Sequence, residues 1–209
     1  MTGLETPLVH IVDDDEAVRR SVSFALKTSG FQVRAYESGS EILKGAPDLE
    51  AGCILLDIRM PGMDGLEVQE ALKSKGVTLP VVIMTGHGDV SLAVRAMKAG
   101  AIDFIEKPFE KAVLLSAIEH GMGRLKQSAT SLKDADEAAT RLQLLTARER
   151  EVLDGLAKGL PNKSIAYDLG ISPRTVEIHR ANLMAKLEVK SLSDALRIAF
   201  AAEANRSIT

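Results

Sequence analysis

A single cysteine, no long apolar run and almost no net charge (−3 over 209 residues) are the first things this sequence shows. One thiol cannot make a disulfide framework, and Cys53 lies inside an apolar run, so a reducing compartment is expected and thiol catalysis is not. No stretch approaches the ~20 apolar residues of a membrane span. The opening Met1-Thr2-Gly3-Leu4-Glu5 also lacks the basic-then-apolar order of a signal peptide. The expectation is a cytoplasmic, soluble protein of roughly two domains, with no membrane partner.

The small total charge hides an asymmetry. Residues 1–125 carry 13 basic and 18 acidic side chains, whereas residues 141–209 carry 11 and 8. The acidic first part and the mildly basic second part suit different partners, and the second admits nucleic acid without demanding it.

What is present is organised around Cys53-Ile54-Leu55-Leu56-Asp57, an unbroken apolar run that ends on a carboxylate and is followed by Arg59-Met60-Pro61-Gly62-Met63-Asp64-Gly65. Apolar at every position, it reads as a strand of a parallel sheet covered on both faces, where ligands sit beyond the carboxyl ends. Leu8–Val12 repeats the pattern and ends on Asp13-Asp14-Asp15-Glu16; Val18, Val22, Ala25 and Leu26 then recur at helical spacing. Asp15 and Glu16 read as helix-capping acids. Phe31–Tyr36 alternates like an edge strand, with Ser38 capping a short helix through Leu43. Leu79–Thr85 is a further apolar strand, ending on a hydroxyl. Asp89 is placed to cap the next helix, and Ala101–Lys107 ends on an ammonium.

Five βα units imply an α/β doubly wound parallel five-stranded sheet. Taken singly, Asp13 can be a cap, Thr85 a turn hydroxyl and Lys107 a solvated charge. Together they place carboxylates, a hydroxyl and an ammonium at one edge, and clustered carboxylates repel unless cations join them. A hard divalent ion such as Mg²⁺, which prefers oxygen ligands, answers that repulsion.

On these residues, 8–122 resemble the receiver domain of bacterial two-component response regulators, a flavodoxin-like fold. The resemblance implies that Asp57 is the phosphoacceptor, served by a sensor histidine kinase. It implies Mg²⁺ ligation by Asp14, Asp57 and the Arg59 backbone carbonyl, with Asp13 acting through water. Thr85 and Lys107 would bind phosphoryl oxygens, Phe104 would be the aromatic switch, and Arg59 and His87 would flank the acyl phosphate. A receiver promotes its own phosphoryl transfer and dephosphorylation; no separate substrate is expected, so the chain is not read as an enzyme.

Residues 124–142 read as a linker. Ile118, Met122, Leu125, Ala129 and Leu132 continue a three-four spacing that fits a helix, while Ser128, Thr130 and Ser131 fit a loose polar connection equally well. From 143 onward, Thr146-Ala147-Arg148-Glu149 is a capping box for a helix closed by Gly159. Asn162 is placed to cap the next helix, Gly170 turns the chain, and Ser172-Pro173 starts a helix running to Leu187. These are the parts of a helix-turn-helix, although spacing alone also allows a small helical bundle.

Pro161-Asn162-Lys163-Ser164-Ile165-Ala166 and Ser172-Pro173-Arg174-Thr175-Val176-Glu177-Ile178-His179-Arg180 resemble the LuxR/NarL-type DNA-binding domain. The chain as a whole resembles FixJ-like regulators, with a receiver over 1–123 and an all-α DNA-binding domain over 143–209. The resemblance leaves Glu177, Ile178 and Ala181 to meet base edges of double-stranded DNA, with Lys163, Arg174, Thr175, His179, Arg180 and Lys186 on the phosphate backbone. Val176, Leu183 and Leu187 are expected in the core. A homodimer formed on phosphorylation would suit paired half-sites. A small-molecule phosphatase with an aspartyl nucleophile is disfavoured, because Arg59 stands where an Asp-x-Asp pattern needs its second acid. A constitutive DNA-binding protein with an inert receiver is disfavoured because the acids and Lys107 are all present.

Overall fold

The computed structural model describes residues 6–86, 90–125, 138, 140–189 and 191–206. Expectations for His87, for Asp89 as a helix cap and for most of the linker fall outside these residues. The chain divides into two compact units, one of residues 1–87 and 99–128, the other of residues 88–98 and 129–209.

The first unit carries β1 (Leu8–Val12), α1 (Glu16–Lys27), β2 (Gln32–Tyr36), α2 (Gly39–Lys44), β3 (Cys53–Asp57), α3 (Gly65–Ser74), β4 (Val81–Thr85), β5 (Asp103–Glu106) and α5 (Lys111–Leu125). All strands are parallel in the order β2-β1-β3-β4-β5. The apolar runs of β1, β3 and β4 are buried at every position, as a sheet covered on both faces requires, whereas β2 has no fully buried residue and takes an edge. Val9, Ile11, Cys53, Leu55, Val82 and Met84 pack with Val22 and Leu26 of α1 and Leu114 and Ile118 of α5. Successive strand residues face opposite ways, so His10, Val12, Ile54, Leu56 and Ile83 are buried on the other face. β5 is shorter than its apolar run suggested, and Lys107 stands just beyond its end.

Helix starts follow side-chain chemistry. The Asp15 carboxylate accepts from the amides of Ala17 and Val18, Ser38 from that of Glu41, and Asp64 forms a capping box with Glu67. Each satisfies amides that the first turn leaves without intrahelical partners.

The second unit contains α6 (Ala147–Ala157), α7 (Asn162–Leu169), α8 (Pro173–Lys186) and α9 (Leu192–Arg206), together with α4 (Val90–Lys98). Within it Lys98 Nζ lies 5.4 Å from the centre of the Phe200 ring. The Thr146–Glu149 capping box forms as expected, and Ser172 caps α8 with Pro173 in its first turn. Gly170 takes a left-handed conformation (φ 66°) at the turn between α7 and α8, where an L side chain is strained. Asn162 does not cap α7. Pro161 holds the cap position without a side-chain bond, which makes Asn162 the first helical residue, and its Oδ1 accepts from Arg180 Nη1 at 3.2 Å.

Candidate functional site

In a parallel sheet all carboxyl ends share one edge, so β1, β3, β4 and β5 bring Asp13, Asp57, Thr85 and Lys107 to the same rim. Register sets the spacing: Asp57 pairs with Met84, Thr85 pairs with Glu106, and the Lys107 amide donates to the Thr85 carbonyl at 2.7 Å. Lys107 Nζ reaches back over the rim to Asp13 Oδ2 at 2.7 Å and Asp57 Oδ1 at 2.8 Å. Asp13 Oδ1 accepts from the Asp15 amide at 2.9 Å, and Arg19 Nη1 donates to the Asp13 carbonyl at 2.7 Å, tying α1 to the rim. Asp13, Asp57 and Thr85 are buried; Asp14 is exposed. The Thr85 hydroxyl donates to the Gly86 carbonyl at 3.3 Å, and Phe104 is half-buried on β5.

The electrostatics follow from this packing. Burial pushes the pKa of Asp57 up from the usual aspartate range. Lys107 pulls it down, Asp13 and Asp14 push it further up, and the net direction is up. Burial alone would lower the pKa of Lys107, but its bonds to Asp13 and Asp57 outweigh this, so the ammonium is held. Lys107 thus bonds two of the three clustered carboxylates, Asp13 and Asp57, while Asp14 adds a further acid beside them. Asp13, Asp14 and Asp57 offer ligand oxygens that all lie within 4.8 Å of one another. An all-oxygen donor set without histidine or thiolate fits Mg²⁺ and not a softer metal. The buried Cys53 thiol is pushed up to about 12, chiefly by burial, which suits an inert core residue.

The second unit presents a different surface. On α8 Val176 and Leu183 are buried, as is Leu187 just past its end, as the sequence implied, while Ile178 is 51% exposed and Glu177 and Ala181 are also exposed. Arg174 Nη1 pairs with Glu177 Oε2 at 3.0 Å, the Thr175 hydroxyl lies 2.8 Å from that of Ser172, and His179 is partly exposed. Lys163 is exposed on α7. Lys186 is turned toward the protein: its Nζ meets Glu149 Oε2 at 2.7 Å. Glu149 is buried. Burial would raise its pKa, but the bonds from Lys186 and Thr146 outweigh this and hold the carboxyl below the usual glutamate range.

Sequence reasoning passed over three residues here. Glu149 was read only as a cap and is also the partner of Lys186. Arg19 went unread, and nothing local signals its bond to the Asp13 carbonyl. For Gly65 nothing local signals that a Cβ there would lie 2.4 Å from the Asp57 carbonyl oxygen.

A buried acid–ammonium cluster at the carboxyl ends of a doubly wound sheet, followed by a helix pair joined at a left-handed glycine, defines a receiver joined to a helix-turn-helix unit. Residues 9–119 match the response regulator receiver domain, and residues 143–199 match the bacterial regulatory proteins of the luxR family. The chain therefore belongs to the two-component response regulators with a LuxR-type DNA-binding domain, and it regulates transcription in a phosphorylation-dependent way. Among similar proteins is the transcriptional regulatory protein FixJ of Rhizobium meliloti, 51% identical over 193 residues, covering 92% of this chain and 95% of that one. The tetrathionate response regulatory protein TtrR of Salmonella typhimurium is 41% identical over 189 residues, covering 90% of each. The crystal structure of full-length FixJ from B. japonicum matches with a TM-score of 0.57 at 44% identity, over 94% of this chain and 97% of that one. A receiver implies a sensor kinase as partner, and a LuxR-type domain implies DNA. No described helix is long and apolar enough to cross a membrane.

Proposed function

We propose that Asp57 takes a phosphoryl group from the phosphohistidine of a sensor histidine kinase, and that the acyl phosphate so formed pairs two copies of the chain on DNA. The observation that carries this is Lys107 Nζ within 2.8 Å of Asp57 and 2.7 Å of Asp13. With Oδ1 of Asp57 engaged by Lys107, the attack is assigned to Oδ2. The oxygen–phosphorus bond forms as the histidine nitrogen–phosphorus bond breaks, and the imidazole departs. Mg²⁺, held by Asp14, Asp57 and the Arg59 carbonyl with Asp13 acting through water, would supply charge neutralisation on the phosphoryl oxygens. Lys107 moves from the carboxylate to one of those oxygens, and the Thr85 hydroxyl leaves Gly86 to donate to another. Thr85 then vacates space that Phe104 fills, altering the surface of β5. Arg59 and His87 set the lifetime of the phosphate by impeding or orienting the hydrolytic water, and the receiver promotes its own dephosphorylation.

On DNA, Glu177, Ile178 and Ala181 read base edges, while Lys163, Arg174, Thr175, His179 and Arg180 hold the phosphates. Lys186 belongs to the phosphate contacts only if it leaves Glu149. Two modules on a two-fold site gain affinity through effective concentration. The working compartment is the cytoplasm, where both kinase phosphoryl groups and DNA are available.

The test is intact-protein mass mapping after treatment with acetyl phosphate and Mg²⁺, followed by sedimentation with and without the phosphate. Phosphate on Asp57 and a monomer-to-dimer shift are expected, with neither in Asp57→Asn. Phosphate on another residue would overturn the site, and an unchanged monomer that gains operator affinity would overturn the pairing.

A further inference from the structure

The loop that follows β3 leaves the sheet at Asp57 and returns to it at Gly65, whose amide donates to the Ile58 carbonyl at 2.9 Å. A Cβ on Gly65 would lie 2.4 Å from the Asp57 carbonyl oxygen and 2.8 Å from Ile58 Cα, both backbone atoms. Backbone cannot turn aside as a side chain does. Asp57 is held in register with Met84, and the Ile58 amide donates to the Met84 carbonyl at 3.0 Å. On the other side α3 is anchored by the Asp64–Glu67 capping box and by buried Leu66, Val68 and Leu72. Gly65 is not among the residues with positive φ, so contact demands the glycine here and not backbone conformation. Ordinary contact begins at 3.4 Å, against 2.4 Å at this position, so a side chain must drive the β3 end and α3 apart by about 1 Å.

We propose that Gly65 is a positioning residue for the phosphoacceptor. By letting α3 begin against the backbone of Asp57, it sets where the Asp57 carboxylate and the Arg59 carbonyl stand relative to Asp13 and Asp14. This rests on the reading of Asp57 as phosphoacceptor and Mg²⁺ as its ion. Mg²⁺ tolerates little error, because it requires near-octahedral oxygens at about 2.0–2.1 Å. A misplacement of about 1 Å is enough to cost roughly 100-fold in rate.

Gly52 provides the control. A Cβ there would lie 2.5 Å from the Leu8 carbonyl oxygen, the same kind of collision at the opposite end of β3. In the full chain, Gly65→Ala and Gly52→Ala should both lower the unfolding midpoint. Only Gly65→Ala should weaken Mg²⁺ binding, measured calorimetrically without phosphate, and slow phosphorylation from acetyl phosphate, each by roughly tenfold or more. Equal Mg²⁺ affinity and rate in Gly65→Ala and wild type would overturn the proposal, as would equal losses in the two variants.

A measurement on the wild type does not depend on either variant folding. Mg²⁺ should slow hydrogen exchange at the Gly65 amide and leave unchanged the amide of Ile54, which is bonded to the Pro80 carbonyl at 2.8 Å at the far end of the strand. Equal responses at the two amides would again overturn it. A wild-type chain that takes no phosphate on Asp57 overturns the phosphoacceptor reading instead, whereas one that does, with Gly65→Ala behaving identically, removes only the role of Gly65.

Discussion

The two ends of this chain keep their candidate functional groups in opposite ways. At the receiver rim Asp13, Asp57 and Thr85 are buried, and the two acids share Lys107 from beyond the end of β5, whereas on α8 Arg174, Glu177, Ile178 and Ala181 stand in solvent. The rim is held in place by the sheet before any ligand arrives, which is what in-line phosphoryl transfer needs from a protein. The Arg174–Glu177 pair lies within one helix and in water, so it is worth at most about 1 kcal/mol and can be exchanged for phosphates and base edges at small cost. Chemistry calls for fixed groups, while reading DNA calls for groups that can be re-paired.

Variants test that contrast from its strongest point downward. Lys107→Ala leaves Asp13 and Asp57 facing each other without their shared cation, and phosphorylation by acetyl phosphate is expected to slow by roughly 100-fold. Initial rates at saturating Mg²⁺ measure this; a near-normal rate would mean that the cluster is not preorganised by Lys107. Arg180→Ala should weaken binding to all DNA sequences by roughly tenfold and lower the salt slope by about 1. Because Arg180 also bonds Asn162, Asn162→Ala is the companion. If it reproduces the whole loss, Arg180 acts by joining α7 to α8 and not by touching phosphate.

Glu149→Gln should cost about 1–2 kcal/mol of stability in the DNA-binding unit at pH 7, the worth of a charge-assisted bond, with the half-exposed Lys186 keeping it toward the lower figure. The sign with pH is determined by the depressed pKa. The wild-type advantage is present above the ordinary glutamate value of 4.5 and is lost as pH falls through the lower folded value, so the two unfolding curves should converge in acid. An advantage unchanged in acid would show that the Glu149 charge does not contribute. The smallest expected effect is that of Glu177→Ala, about 1 kcal/mol of discrimination at one base position with little change in overall affinity. Binding to a panel of single-base operator variants measures it; a uniform loss would mean that Glu177 acts through Arg174.

Much of the receiver was legible because its signals are local. Unbroken apolar runs marked the buried strands, alternation marked β2 as the edge, and the residues closing each run named the rim. The capping boxes of α3 and α6 could be read from Asp64–Glu67 and Thr146–Glu149 spacing, though only the second was. Asn162 shows where such reading fails: an Asn before a helix looks like a cap, but Pro161 suits the extended conformation of the cap position and pushes Asn162 into the first turn, where its side chain serves Arg180 instead.

By itself the sequence determined the five strands, their order, the residue types delivered to each strand end and the helices up to α8, because apolar periodicity and turn chemistry act over a few neighbours, while α9 went unread. Only the tertiary structure decided that Lys107 bridges Asp13 and Asp57, that Lys186 turns to Glu149, and that Gly65 touches the backbone of Asp57. The ion pairs join residues far apart in the chain and the Gly65 contact spans a loop, and their distances depend on register, on where each helix docks and on which buried charges must find a partner. No spacing along the sequence encodes such distances, because they exist only once the sheet has assembled and water has been excluded from its rim.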